Sequence, residues 1–577
     1  MKTMSKKIKS LLAWVMALMV VIVTAIPAWA TTTTPSDTPP GSGWTEVASG
    51  STAEVIIKGL TNGAKVNLYR VIETTYKDGS LSHKLVPDFE TYLKNSNKLS
   101  GINASSSSED VLKAYLALKS GNSSSNTGTN TTLEEIFSGY LSTERTSYQQ
   151  SGEATNGQVT FSGVEMGQYI AKVTDAGTGE TQIYQLVSVE VEPSVGDDGK
   201  YYIKDDYEVD IKSSPVTITK EVNGENKDTV SIGEKIPYKI TFPVPVFGSD
   251  VTDKTIVITD TMGKGLTYNG DLVIKGNDND QNIISGYKPV VTIGNNGETI
   301  ITLTFNNTAY ETLKNYESIT LSYTATVNNE VVLGNNQIVN TAKITCDGKT
   351  VTDEVKHSTY AIVIDKYDGE NGKKLTGAEF EIYDKNQVDS NGDLLPDAEP
   401  LDTVSTVSGS AIFDGLEKDI YYVKESKAPE EYAIDPTLHK IDLTGAQTPD
   451  KTVTFTRNYE YTRSLDEATT AGYPFQVRKD GRYGWYADSS DNVTFVNPGQ
   501  EQSGWDPAYI KGITYSITKT ENGGTQAYEL KVENNKGPQL PSTGGTGRKI
   551  FYVGGAILMV GAGVIFVTRK RMERKNS

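Results

Sequence analysis

Through most of its length the chain alternates apolar and polar residues with a period of two, the pattern of half-buried β-strands. Val55-Ile56-Ile57 and Val66 to Val71 read as strands split by Asn62-Gly63, and strands return at Gln158–Phe161, Tyr169–Val173 and Ile183–Val191. Between them the period lengthens. Phe89–Leu93, Val111–Leu118 and Leu133–Leu141 carry apolar residues three to four apart, which predicts helices, separated by Ser/Asn-rich loops at 104–108 and 121–130. From Pro215 to Lys356 the alternation is almost unbroken, as in Ile256-Val257-Ile258-Thr259-Asp260 and Ile301-Thr302-Leu303-Thr304-Phe305, with Asn/Gly turns at short intervals. That is the signature of an all-β sandwich. A third β region fills 357–536. Its Tyr- and Gly-rich part, 457–520, is either an inserted hairpin layer or a small extra subdomain.

The two ends follow other patterns. Lys2, Lys6, Lys7 and Lys9 precede an apolar run from Leu11 to Ala25, and Ala28-Trp29-Ala30 fits a small-x-small cleavage site. Residues 1–30 thus read as an export signal, with a Thr/Pro linker at 31–43. At the other end Leu540-Pro541-Ser542-Thr543-Gly544 is followed by an uncharged apolar run, 550–568, and a basic tail. The run approaches the roughly 20 residues of a membrane-spanning helix, and the tail would stay in the cytoplasm. The expected domains are therefore 44–212, with helical insertions, 213–356 and 357–536, ahead of a terminal signal at 537–577. The fold class is mainly β: tandem sandwich domains between an export signal and a C-terminal transmembrane helix.

Charge and composition narrow the chemistry. The formal charge of −18 becomes −28 once the four lysines of residues 1–30 and the net six positive charges of residues 544–577 are set aside. So acidic a chain does not suit nucleic acid as a partner. There is one cysteine, Cys346, so disulfides do not staple these exported domains. Cys346 itself reads as strand packing. His83, His357 and His439 lie far apart and read as isolated surface residues, which leaves no histidine-rich metal site and no Ser-His-Asp triad. Asp389-Ser390-Asn391-Gly392-Asp393 begins like a calcium loop, but Leu394 breaks the pattern and a turn fits better. No cofactor or metal is expected.

Strand parity points to buried chemistry. Val216, Ile218 and Lys220 share a face, as do Ile256, Ile258 and Asp260, and Ile338, Asn340, Ala342 and Ile344. The third region repeats this with Ile362, Ile364 and Lys366, with Tyr421, Val423 and Glu425, and with Leu530, Val532 and Asn534. A lysine, an acid and an asparagine on apolar faces suit the closure of a Lys–Asn isopeptide bond. Burial favours the neutral, nucleophilic amine, and a protonated carboxyl polarises the carboxamide and shuttles protons as ammonia leaves. The alternative is a buried ion pair with an asparagine hydrogen bond. Asn497 shares a face with Val493 and Phe495 and competes with Asn534; Asn458, on a threonine face, fits worse.

The pentapeptide, apolar span and basic tail, in that order, resemble the cell-wall sorting signal of Gram-positive surface proteins. Gly377-Ala378-Glu379-Phe380 and the stretch from Tyr421 to Tyr432 resemble a CnaB-type domain, with Glu431 where that pattern has glycine. The order Lys, acid, Asn resembles that of Gram-positive pilin domains. Val209-Asp210-Ile211-Lys212 is loosely similar to the pilin motif that ends in a reactive lysine. The whole chain therefore resembles a sortase-assembled major (backbone) pilin.

The resemblance implies isopeptide bonds Lys220–Asn340 and Lys366–Asn534, promoted by Asp260 and Glu425. It implies sortase cleavage between Thr543 and Gly544, and attack on Thr543 by Lys212 of another copy, with Lys204 as the nearest rival. The partners it implies are a polymerising and a housekeeping sortase, other copies of the chain, minor pilins, peptidoglycan and a host surface ligand. The role is structural, not that of a turnover enzyme. A monomeric wall-anchored adhesin and a minor or basal pilin remain alternatives; for a secreted hydrolase there is no nucleophile–base pair.

Overall fold

A computed structural model describes residues 39, 41–120, 132–142, 149–222, 228–279, 281–445, 451–487, 491–519 and 525–536. The export segment, Leu540–Gly544 and the apolar run 550–568 lie outside them. Among the described residues no helix is long and apolar enough to cross a membrane. The chain forms two compact units: one runs to Pro215 and includes Pro245–Lys254, and the other comprises Val216–Val244 and the chain from Thr255.

The first unit is β with helical excursions. Lys65–Lys77 pairs with Ser80–Leu85, Gln150–Glu153 and Gly167–Asp175, and the last of these pairs with Val187–Val191. Asp206–Asp210 runs parallel to Thr52–Lys58, which pairs on its other side with Gln158–Glu165. Their inward residues, among them Val55, Ile57, Leu68, Phe161, Val189 and Val209, form one core. Helices Pro87–Asn95, Ser108–Lys119 and Leu133–Leu141 stand where the three-to-four spacing predicts them. The Ser107 and Thr132 side chains cap the second and third of these helices by accepting the backbone N–H of Asp110 and Glu135. Phe89, Tyr115, Ile136 and Phe137 bury their apolar faces in a second core with Val71 and Ile170.

Pro245–Lys254 falls in the middle domain by sequence but packs with this unit: Lys172 Nζ lies 2.7 Å from Asp250 Oδ2, and Ser214 Oγ accepts from Val246 N at 3.1 Å. With prolines at 243 and 245 the segment cannot extend the ladder of Lys235–Pro243, and so it departs from that sheet.

The second unit holds both later β regions. In the middle region Thr219–Val222, Lys235–Pro243, Ser318–Val327 and Leu266–Tyr268 make one sheet. In the other sheet Val290–Ile293, Thr299–Phe305, Ile256–Met262 and Gly334–Cys346 lie side by side. This second sheet continues through Lys349–Asp368, a 20-residue strand that serves both regions. Its first part pairs with Gly334–Cys346; its last part pairs antiparallel with Ser410–Leu416 and parallel with Tyr528 to Asn534. A four-stranded sheet, Asp402–Ser405, Glu379–Asp384, Ile420–Lys427 and Leu438–Asp442, belongs to the third region, and residues of both sheets share its core.

The stretch 457–520 combines both of its expected forms. Lys451–Thr462 and Tyr509–Lys519 make a long hairpin that widens the sheet, and a small sheet of Arg478–Lys479, Arg482–Tyr486, Val493–Val496 and Asp506–Pro507 lies between its arms.

Candidate functional site: two buried lysine–carboxylate–asparagine clusters

Lys220, Asp260, Asn340, Lys366, Glu425 and Asn534 are all buried, each on the face that parity gives it. In the middle region Lys220 comes from one sheet; Asp260 and Asn340 come from neighbouring strands of the other, in a register that sets Met262 opposite Asn340. Lys220 Nζ lies 2.5 Å from Asp260 Oδ1 and donates to the Tyr323 hydroxyl at 2.8 Å. Tyr323 in turn donates to Asp260 Oδ2 and accepts from Asn340 Nδ2, the latter at 2.8 Å. Burial lowers the pKa of the Lys220 amine, against the opposing pull of Asp260. Burial, with Asp260 beside it, raises the Tyr323 phenol well above its ordinary value, so the phenol remains a proton donor. Tyr238 stacks on Tyr323 with ring centroids 5.5 Å apart and hydrogen-bonds His357 Nε2 at 2.9 Å.

In the third region Lys366 and Asn534 share one sheet, on parallel neighbouring strands that pair Lys366 with Val532 and Asp368 with Asn534. Glu425 comes from the four-stranded sheet. Its Oε1 is 3.4 Å from Lys366 Nζ, and its Oε2 accepts from Asn534 Nδ2 at 2.9 Å and from Asp435 N at 2.6 Å. Here too burial lowers the lysine pKa, with Glu425 opposing. Three buried atoms of these lysines and asparagines make no hydrogen bond: Lys366 Nζ, Asn340 Oδ1 and Asn534 Oδ1. A settled ion-pair network would satisfy such atoms, because an unpaired buried polar group costs about 1–3 kcal/mol.

The rival asparagines lie elsewhere. Asn497 is exposed in a turn, and Asn458 is exposed and donates to Ser516 Oγ. Lys212 is exposed, between strands Asp206–Asp210 and Ser213–Pro215. Lys204 holds its amine 5.3 Å from the Trp44 ring centroid. Leu540–Gly544 lies outside the described residues.

His357 is a correction. It is fully buried, not a surface residue, because it shares parity with Val351 and Val355 and sits where the long strand passes from one region to the next. His83 is exposed beside Thr74, and His439 is half-buried against Asp435. Asp389 Oδ1 accepts the backbone N–H groups of Asn391 and Asp393, closing a turn. Tyr323 was not singled out from the sequence. Ile319, Leu321, Tyr323, Ala325 and Val327 share a face, so the signal was a phenol among aliphatic residues; a tyrosine there passes for ordinary core.

Comparison with known proteins places this architecture. Residues 232–351 match the Gram-positive pilin backbone subunit 2, Cna-B-like domain; 360–458 match the prealbumin-like fold domain (SpaA); and 532–574 match the LPXTG cell wall anchor motif. The chain is 28% identical over 395 residues to the trypsin-resistant surface T6 protein of Streptococcus pyogenes serotype M6, covering 62% of this chain and 70% of that protein. The chain is a Gram-positive backbone pilin. In fold it is similar to the T6 backbone pilin of the same serotype, described as a modular three-domain structure with variable loops and extensions: TM-score 0.52, 22% identity, covering 85% of this chain and 99% of that one. As a backbone pilin with an LPXTG anchor it is a shaft subunit of a sortase-polymerised surface pilus held at the cell wall, and its family is structural.

Proposed function

We propose that the subunit serves the shaft through three covalent bonds of its own. Two are internal, Lys220–Asn340 and Lys366–Asn534, promoted by Asp260 and Glu425. The third joins the Thr543 carbonyl to Lys212 of the next subunit, and the fibre ends on peptidoglycan, with minor pilins as companions. The internal bonds take the place of disulfides and resist pulling.

The observation that carries this reading is the convergence, in each cluster, of a lysine amine and an asparagine carboxamide around one buried carboxylate, directly on Glu425 in the third region and through the Tyr323 hydroxyl to Asp260 in the middle one. Burial lowers the pKa of both amines and so favours their neutral, nucleophilic form, and the carboxylate beside each is the base within reach. Attack of Nζ on the asparagine Cγ forms the amide, and Nδ2 leaves as ammonia. Among the described residues Asp260 is the carboxylate within ion-pair distance of the Lys220 amine, and Glu425 that of the Lys366 amine.

The test is the intact mass of the folded chain from Thr31 to Thr543. It should be lighter than its sequence by two ammonias, and Asp260→Ala and Glu425→Ala should each restore one. Full mass in a folded wild-type sample would overturn the internal bonds and leave two buried ion pairs.

A further inference from the structure

The two clusters use their acids differently. Glu425 reaches both reacting groups itself, with Oε1 3.4 Å from Lys366 Nζ and Oε2 2.9 Å from Asn534 Nδ2. Asp260 is one methylene shorter. It meets Lys220 Nζ at 2.5 Å, but the carboxamide nitrogen of Asn340 is met by the Tyr323 hydroxyl, at 2.8 Å. That hydroxyl is also 2.8 Å from Lys220 Nζ and donates to Asp260 Oδ2. One oxygen thus touches the nucleophile, the acid and the leaving group.

We propose that Tyr323 is a catalytic residue of the middle-region bond, relaying the proton that Lys220 loses to the nitrogen that Asn340 expels. The inference rests on the isopeptide reading above. The Nζ–Cγ bond forms and the Cγ–Nδ2 bond breaks. Nζ gives one proton to Asp260, Tyr323 gives its own proton to Nδ2 and is refilled from Asp260, and ammonia departs. Asp260 and Tyr323 end as they began, and no other reactant is needed. Aspartate plus tyrosine here does what glutamate does alone in the third region. The phenol is well suited, since burial and its acidic neighbour keep it protonated, and its ring is fixed by stacking on Tyr238.

The experiment follows ammonia loss by intact mass in the chain from Thr31 to Thr543, from the moment of synthesis, in wild type and Tyr323→Phe. The third-region bond is the internal clock. Phenylalanine keeps the ring and removes only the relay, so the variant should lose one ammonia at the wild-type rate and the second at least about tenfold more slowly, within the range of general acid–base contributions. Loss of both at the wild-type rate would overturn the relay. Adding Asp260→Glu to Tyr323→Phe supplies the reach that Glu425 shows and should restore fast closure; a folded double variant that stays slow would also overturn it. Protection of Cys346 from a thiol reagent certifies folding in each case. A wild-type chain that loses no ammonia would instead refute the isopeptide reading itself.

Discussion

The main chain of Arg478 exchanges two hydrogen bonds with the side chain of Asn329, Arg478 N donating to Oδ1 at 2.9 Å and Nδ2 donating to the Arg478 carbonyl at 2.8 Å. Two residues far apart in sequence thereby tie the inserted subdomain to the middle sandwich. The Arg478 guanidinium is buried and donates to the carbonyls of Leu266 and Gly481, both at 2.7 Å, while Glu330 accepts the backbone N–H groups of Asp480 and Gly481. Arg457 adds a second tie, with Nε 2.6 Å from Asp414 Oδ2 and Nη1 donating to the Asn329 carbonyl at 3.1 Å.

Removing the Arg478 side chain leaves two buried carbonyls without their donor. Hydrogen bonds to charged groups contribute about 1.5–3 kcal/mol, so Arg478→Ala should destabilise the second unit by about 3 kcal/mol in denaturant unfolding. Asn329→Ala should act in the same direction. Because the two belong to one network, the double variant should lose less than the sum. Strict additivity would mean that the two contacts act independently.

The Lys220 amine gives a pH signature to any chain in which the middle bond cannot close. Asn340→Ala leaves the lysine as a buried amine with a folded pKa below its unfolded value. Between those two values the unfolded chain binds the extra proton, so stability rises with pH through that window and levels off above about 10.4, the ordinary lysine value. If the proposed bond forms in the wild type, this nitrogen is an amide there and does not titrate. Urea midpoints at neutral and alkaline pH should therefore rise for Asn340→Ala relative to wild type. At neutral pH the variant should also lack the cross-link, worth about 5 kcal/mol if it resembles a disulfide closing a loop of roughly a hundred residues. Parallel midpoints across pH would show that burial does not hold the amine low.

Much of this site was legible in the sequence because a strand has only two faces. Counting by twos from Ile218, Ile258, Ile338, Ile364, Val423 and Val532 reaches all six cluster residues, and each is buried. The same rule, applied to Val351 and Val355, would have buried His357. Parity assigns a face but not a partner. It could not show that Tyr528 to Asn534 returns to lie parallel to Ile362–Asp368, which is what separates Asn534 from Asn497. The subdomain of 457–520 was opaque for the same reason, since its anchors are Asn329 and Glu330, well over a hundred residues earlier.

Glu431 keeps the backbone that its glycine-preferring position asks for. It has φ 74°, in the left-handed region, where a side chain costs about 1–2 kcal/mol. Glu431→Gly relieves that strain but frees the unfolded chain by about 0.4–1 kcal/mol. The net expectation is a small gain, about 0.5 kcal/mol, while the β-branched Glu431→Val should lose at least about 1 kcal/mol. Thermal unfolding of the two variants checks the pair; a valine variant as stable as wild type would mean that the turn relaxes to negative φ.

Cys346 offers a reporter inside the middle sandwich. It is 2% exposed, on the strand that carries Asn340, and burial pushes its thiol up to about 12. At mildly alkaline pH the native chain should therefore resist thiol reagents and react only on opening. Asp260→Ala, which removes the acid of the middle cluster, should open more often and label at least about tenfold faster; equal rates would mean that the bond adds nothing to that sandwich.

The proposed head-to-tail linkage makes Lys212 the amine that the polymerising enzyme must reach. The backbone on both sides is held: Ile211 N donates to the Lys58 carbonyl at 2.9 Å, Gln185 N donates to the Lys212 carbonyl at 2.9 Å, and Ser213–Pro215 pairs with Gln182–Tyr184. The Lys212 side chain is exposed, and the Lys204 amine lies 5.3 Å from the Trp44 ring centroid. A transpeptidase needs an accessible amine at a fixed position, since ordering a mobile acceptor costs entropy in every turnover. Cell-wall extracts boiled in SDS should show a high-mass ladder for wild type and Lys204→Ala. Lys212→Ala and Lys212→Arg should collapse it to monomer, because a guanidinium keeps the charge but is too weak a nucleophile. A ladder that survives both Lys212 variants and disappears in Lys204→Ala would move the junction to Lys204, where leaving the face of Trp44 would have to precede transfer.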